Sequence, residues 1–193
     1  SSAPPVPSLE DAFSAAELQS VLDKLKLGKA AGADTINNEM LKAGGKVLRD
    51  MLLQYYGWLN DAGVVPREWG SANVITLHKK GDVKDPENYR TISLISCLGK
   101  LYLTVWARRL GRHMDSRLGE DQGGFRARRS TDDQVYTLYE TLIRRRREGR
   151  SSYLFFVDFR KAFDTVWHEG LFKRMWDCGI RGKALQIVKS LYR

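Results

Sequence analysis

The sequence predicts an α+β fold, a mostly helical body interrupted by one small β-hairpin and followed by a single strand of the buried type. Three patterns lead there. Apolar residues recur at helical spacing through most of the chain, two short β-branched runs flank a polar loop after Pro66, and Tyr153 to Val157 is a continuous apolar and aromatic run of strand length.

Taken in order, Ser1 to Ser8 with Pro4, Pro5 and Pro7 reads as extended chain, and residues 1–13 are assigned to an N-terminal arm. Ser14 opens a helix, because Glu17 three residues on completes a capping box and Leu18, Val21, Leu22 and Leu25 form one apolar face. The loop Gly28 to Ala33 ends it. A second helical stretch around Glu39 to Lys42 stops at Gly44 and Gly45, and a third carries Val47, Leu48, Met51, Leu52, Tyr55 and Leu59 up to Gly63. Residues 73–77 and 91–95 are the two strands, joined by the loop Lys79 to Tyr89. Leu98, Leu101, Tyr102 and Val105 begin another helix. Val135, Leu138, Tyr139 and Leu142 define the next, which ends in Arg144 to Arg147, where cations complement the helix dipole without needing a ligand. Tyr153 to Val157 suits burial on both faces and ends on Asp158. From Leu171 through Leu191 the pattern is helical to the last residue.

With 193 residues and 42% hydrophobic content, the chain is large enough for one cored domain or two small lobes. Its formal charge of +9, from 32 Lys plus Arg against 23 Asp plus Glu, gives a positive field that attracts polyanions, with nucleic acid the leading partner class. Cys97 and Cys178 sit in apolar helical patterns, as small core residues rather than a disulfide framework. His78, His113 and His168 lack metal-ligand spacing, which argues against zinc. No apolar run approaches a membrane span and no secretion signal opens the chain, so it reads as soluble and intracellular with no membrane partner. Its start at Ser1 reads as a trimmed segment.

The chemistry centres on residues 155–164, where Asp158 ends a hydrophobic strand. A buried carboxylate is costly unless paired or metal-bound. Two-metal polymerases need such a rigid carboxylate, since their Mg²⁺ ions must be held about 3.5 to 4 Å apart. For an isolated strand-end aspartate the residues alone favour the plainer reading, in which Asp158 caps the following turn and Asp164 pairs with Lys161 or Arg160.

Four ordered motifs bear on that choice. They are Gly28-Lys29-Ala30-Ala31-Gly32-Ala33-Asp34; Lys79-Lys80-Gly81-Asp82 with Asp85-Pro86-Glu87-Asn88-Tyr89-Arg90-Thr91-Ile92-Ser93-Leu94; Gln122-Gly123-Gly124-Phe125-Arg126 with Arg129-Ser130-Thr131; and Phe156-Val157-Asp158-Phe159-Arg160-Lys161-Ala162-Phe163-Asp164. In this order and spacing the chain resembles the reverse transcriptase domain of non-LTR, LINE-type retrotransposons. The resemblance implies a fingers region over 14–150, with its β-hairpin, and a partial palm over 151–193 whose sheet is incomplete. It also implies that Asp158 and the backbone carbonyl of Phe159 bind catalytic Mg²⁺, and that Phe163 blocks the sugar 2′-hydroxyl. Lys79 or Lys80 with Arg90 would hold the incoming triphosphate. Gln122, Arg126, Arg128 and Arg129 would contact template or nucleotide. The implied partners are an RNA template, a DNA primer and a deoxynucleoside triphosphate.

Departures from the family pattern are also visible. Ala31, Ala33 and Thr91 stand where the family usually has proline, and no aromatic-x-Asp-Asp hairpin occurs before Arg193. The adjacent pair Asp132-Asp133 follows Ser130-Thr131 and reads as a helix cap. The expectation is therefore a fragment of an RNA-directed DNA polymerase, inactive alone. The alternatives are a non-catalytic RNA-binding or protein-interaction module of the same origin, and a group II intron maturase. A palm strand left at an edge further predicts a homodimer.

Overall fold

In the computed structural model, which describes residues 6–192, the chain enters through a one-turn helix, α1 (Pro7–Glu10), with proline at its start where no amide partner is needed. This corrects the extended arm over residues 6–13: Leu9 and Phe13 are both buried, and docking of those side chains overrides the proline signal. Residues 1–5 of the expected arm lie outside the described residues.

Helix α2 (Ala15–Asp23) begins as its capping box predicts, with the Glu17 amide donating to Ser14 Oγ at 3.1 Å and the Ser14 amide donating to the Glu17 carboxylate at 3.0 Å. Short α3 (Asn38–Ala43) leads into α4 (Gly45–Ala62), which Gly63 ends in a left-handed conformation that glycine adopts without a Cβ penalty. Strands β1 (Asn73–His78) and β2 (Tyr89–Leu94) form one antiparallel hairpin. Then follow α5 (Cys97–Asp115), α6 (Thr131–Arg147), α7 (His168–Asp177) and α8 (Gly182–Leu191). The molecule is thus α+β, about half helical with a two-stranded antiparallel sheet. The last stretch is two helices rather than one, because Gly179 at φ +81° turns the chain. No helix among the described residues is long and apolar enough to cross a membrane.

The chain divides into two compact units, one built from residues up to Leu110 together with those from Phe172 onward, the other from Gly111–Leu171. The first has the core. Tyr56 from α4, Leu101, Tyr102, Val105 and Trp106 from α5, and Phe13 and Trp69 from connecting segments are buried together in edge-on and tilted aromatic contacts. Both tyrosine hydroxyls and the Trp106 indole have partners in this cluster, since Tyr102 Oη and Trp106 Nε1 donate to Asn60 Oδ1 at 2.7 and 3.2 Å and Tyr56 Oη donates to the Leu98 carbonyl at 2.9 Å. Burial raises the pKa of both tyrosine hydroxyls, which keeps them protonated as donors. Gly99 belongs to this packing, because a Cβ there would lie 2.8 Å from the Trp69 indole.

Arg109 is the charged member of the core, only 6% exposed. Its guanidinium donates to Glu17 through Nε at 2.8 Å and Nη2 at 2.7 Å, and to the carbonyls of Asp11 and Ala12 at 2.6 and 2.8 Å, while lying 4.8 Å from the Phe13 ring centre. The bidentate bond to Arg109 holds the Glu17 carboxylate down at about 2.

The second unit is built differently: none of its described residues is buried. Here the structure corrects the strand expected at Tyr153 to Asp158. Residues 151–159 form no strand, Tyr153 is 98% exposed and Phe155 91%, so the sheet predicted beyond the hairpin is not formed among the described residues. A strand exists only through the hydrogen bonds of a neighbour, and no strand among the described residues lies beside this run. A homodimer through that strand edge loses its premise with the strand.

Candidate functional site

The hairpin register is Leu77↔Arg90 and His78↔Tyr89, and the Lys79 amide donates to the Asn88 carbonyl at 2.7 Å, carrying the ladder one step further. Pleat alternation then places Lys79, Leu77 and Ile75 on one face with Arg90 and Ile92, while Lys80 lies in the bend beyond the ladder. Both lysines and Arg90 are exposed. The loop between the strands is closed from within. Asp82 accepts from the Lys84 amide and Asp85 from the Glu87 amide, each at 2.9 Å, the Asn88 side chain donates to the Asp82 carbonyl at 2.9 Å, and Tyr89 Oη donates to the Val83 carbonyl at 2.8 Å. The acidic and amide residues of this motif are therefore turn-formers, which presents the cations on a loop of defined shape.

The second motif lies in the other unit and is organised by Arg126. Its Nε donates to Asp115 Oδ1 at 3.0 Å and Nη1 to the Gly119 carbonyl at 2.8 Å, leaving the side chain 7% exposed. The guanidinium expected to meet nucleic acid is thus engaged in holding its own loop. Arg129 pairs with Glu120, while Gln122 and Arg128 are exposed, Arg128 at φ +62°. Asp115, Arg126, Arg128, Arg129 and Asp133 line a cleft of about 430 Å³. Asp133 belongs to the helix start as predicted: the Ser130 hydroxyl and amide both donate to it at 2.8 Å and hold its carboxyl below the usual range.

In the palm-like motif, Asp158, Phe159 and Phe163 are all exposed. The burial cost invoked for Asp158 does not arise in this conformation. Residues 160–165 form a turn centred on Lys161 at φ +49°, whose carbonyl accepts from the amides of Asp164 and Thr165 at 2.9 and 3.1 Å. Phe163 meets Phe125 edge-to-face, ring centres 6.1 Å apart. Phe125 carries no predicted role, and nothing in apolar periodicity marks it. The Asp158 carboxylate and the Phe159 carbonyl are hard oxygen donors of the kind Mg²⁺ prefers, but two donors do not fill an octahedral shell. Among the described residues no group of three or more His, Cys, Asp or Glu is placed to hold a metal.

Comparison with known proteins gives consistent results. Residues 77–193 match the family described as reverse transcriptase (RNA-dependent DNA polymerase). The chain is 33% identical over 162 residues to a probable RNA-directed DNA polymerase from transposon BS of Drosophila melanogaster, covering 82% of this chain and 18% of that protein. It is 30% identical over 162 residues to the RNA-directed DNA polymerase from mobile element jockey of the same fly, covering 80% of this chain and 17% of that protein. It is also 34% identical over 131 residues to the Pol polyprotein of the type-1 retrotransposable element R2 of Popillia japonica, covering 67% of this chain and 18% of that protein. The chain therefore spans less than a fifth of the length of these relatives.

Proposed function

This chain belongs to the reverse transcriptase (RNA-dependent DNA polymerase) family, and on that premise we propose that it forms the nucleotide- and template-gripping part of a retrotransposon's RNA-directed DNA polymerase. The carrying observation is the hairpin, whose register sets Lys79 and Arg90 on one face at the rim of a self-closed loop. Two exposed cations so placed suit a polyphosphate, and in this reading Lys79 rather than Lys80 is the triphosphate lysine. Arg128, exposed and lining the cleft with Arg129, is the template phosphate contact, Gln122 is a further exposed contact earlier in the same motif, and Arg126 fixes the loop.

Asp158 supplies one carboxylate to the catalytic centre, Phe159 a carbonyl, and Phe163 faces the sugar. Magnesium bound there would stabilise the charge that develops on the transferred phosphate. The further carboxylates such a centre needs are not among the described residues, so catalysis belongs to the complete polypeptide. The fingers and palm assignments, 14–150 and 151–193, are part of the same proposal.

The test is nucleotide kinetics in the complete polymerase. Arg90→Ala removes a charge-assisted phosphate bond and is expected to raise KM for the deoxynucleotide about 10- to 100-fold, from the roughly 1.5 to 3 kcal/mol such bonds contribute. Lys79→Ala should act alike, and Lys80→Ala should leave KM nearly unchanged. Equal effects of Lys79 and Lys80, or none of Arg90, would contradict the assignment. A second reading, a non-catalytic RNA-binding or protein-interaction module, is favoured by the same lack of clustered carboxylates. It requires RNA binding to persist while the complete polypeptide shows no Mg²⁺-dependent extension.

A further inference from the structure

Phe125 is the least expected residue of the second motif. Its side chain is 96% exposed, so core packing does not account for a phenyl ring there, and its backbone sits at φ +60°, a region that bulky non-glycine residues rarely occupy. Such strain persists only where the surroundings enforce it. The enforcing contact is adjacent: Arg126 is tied to Asp115 and Gly119, which fixes the loop directly after Phe125. The ring is thereby turned toward Phe163, meeting it at an interplanar angle of 84°. The partner ring is also held on a defined turn, since Lys161 is left-handed and its carbonyl accepts both following amides.

We propose that Phe125 is a positioning residue for Phe163, fixing by edge-to-face contact the orientation in which the Phe163 ring excludes a ribonucleotide 2′-hydroxyl. The proposal rests on the reading of Phe163 as the sugar-facing ring and deepens it. Phe163 is 80% exposed, and an unrestrained phenyl on a surface turn samples several rotamers. A ring that swings aside loses its selectivity without losing its identity. The edge contact favours one orientation, and Arg126 acts through Phe125 by holding its loop.

Single-nucleotide incorporation by the complete polymerase, with deoxy- and ribonucleotides compared on one primed RNA template, tests this. Phe125→Ala and Phe125→Leu are expected to raise the ribo-to-deoxy ratio of kcat/KM about 3- to 10-fold, the range an edge-to-face pair supports. Phe125→Tyr, which keeps the aromatic edge, is expected to restore the wild-type ratio. In a Phe163→Val background, Phe125→Ala is expected to change the ratio no further. If Phe125→Ala and Phe125→Leu lower both efficiencies together at constant ratio, Phe125 serves only the loop fold and the proposal is overturned. If Phe163→Val admits ribonucleotides while Phe125 variants do not, the positioning role alone fails. If Phe163→Val leaves discrimination unchanged, the sugar-facing reading of Phe163 fails, and the positioning role with it.

Discussion

In the complete polymerase, Asp158→Asn is expected to lower primer extension by more than about a thousandfold, which corresponds to roughly 4 kcal/mol or more of lost charge stabilisation in the transition state. The substitution conserves shape and removes one negative charge. Asp158 is exposed in the chain described here, so its loss should leave stability within about 0.5 kcal/mol of wild type. That combination is what separates a catalytic carboxylate from a turn cap. Extension assays and thermal melts on the same preparation read both quantities. A variant that retains most activity would return Asp158 to the capping role that the residues alone also allow.

The largest expected effect on folding belongs to Arg109 and Glu17. Glu17→Gln leaves a guanidinium that is almost wholly buried without its counter-charge, and is expected to destabilise the chain by about 3 kcal/mol. The low end of the range applies because Arg109 keeps the carbonyls of Asp11 and Ala12. The pair also sets an acid limit. The folded carboxyl lies at about 2, below its usual 4.5, so its stabilisation is fully present above pH 4.5 and is lost as pH falls from there toward 2. Urea titrations at pH 7, 4 and 2.5 should show wild type converging on Glu17→Gln across that window. A constant gap at all three pH values would show that the pair contributes little through charge.

Much of the first unit was legible in the sequence because its signals are local. The Ser14 to Glu17 capping box, the Gly63 stop and the two β-branched runs each involve residues a few positions apart; the first two appear where predicted, and the runs form the hairpin with β2 starting at Tyr89, two residues earlier than predicted. What sequence periodicity cannot carry is a partner far along the chain. Arg109 and Asn60 sit on helices as ordinary polar positions until Glu17, Tyr102 and Trp106 fold against them. Tyr153 to Val157 is the converse case. Its apolar run states an appetite for burial and strand pairing, but strand formation depends on neighbours, and among the described residues none is present to pair with it.

The same distinction holds for the candidate site. Motif order singled out Lys79, Arg90, Arg128, Asp158 and Phe163, and the roles proposed for them rest on identity and spacing. It could not show which lysine continues the hairpin ladder, which is Lys79, nor that Arg126 is engaged by Asp115. The positions of the candidate residues in the second unit rest on turns and side-chain bonds rather than on a core. A helix such as α6, with no buried face, draws little of its stability from packing within this chain.

The most direct measurement is extension of a DNA primer on an RNA template by the complete polypeptide that contains this chain, supplied with deoxynucleotides and Mg²⁺. DNA complementary to the RNA, absent in the Asp158→Asn protein, is the expected result. A folded, RNA-binding polypeptide that makes no such product, or makes it equally well without Asp158, would contradict the assignment of this chain to the working core of a polymerase.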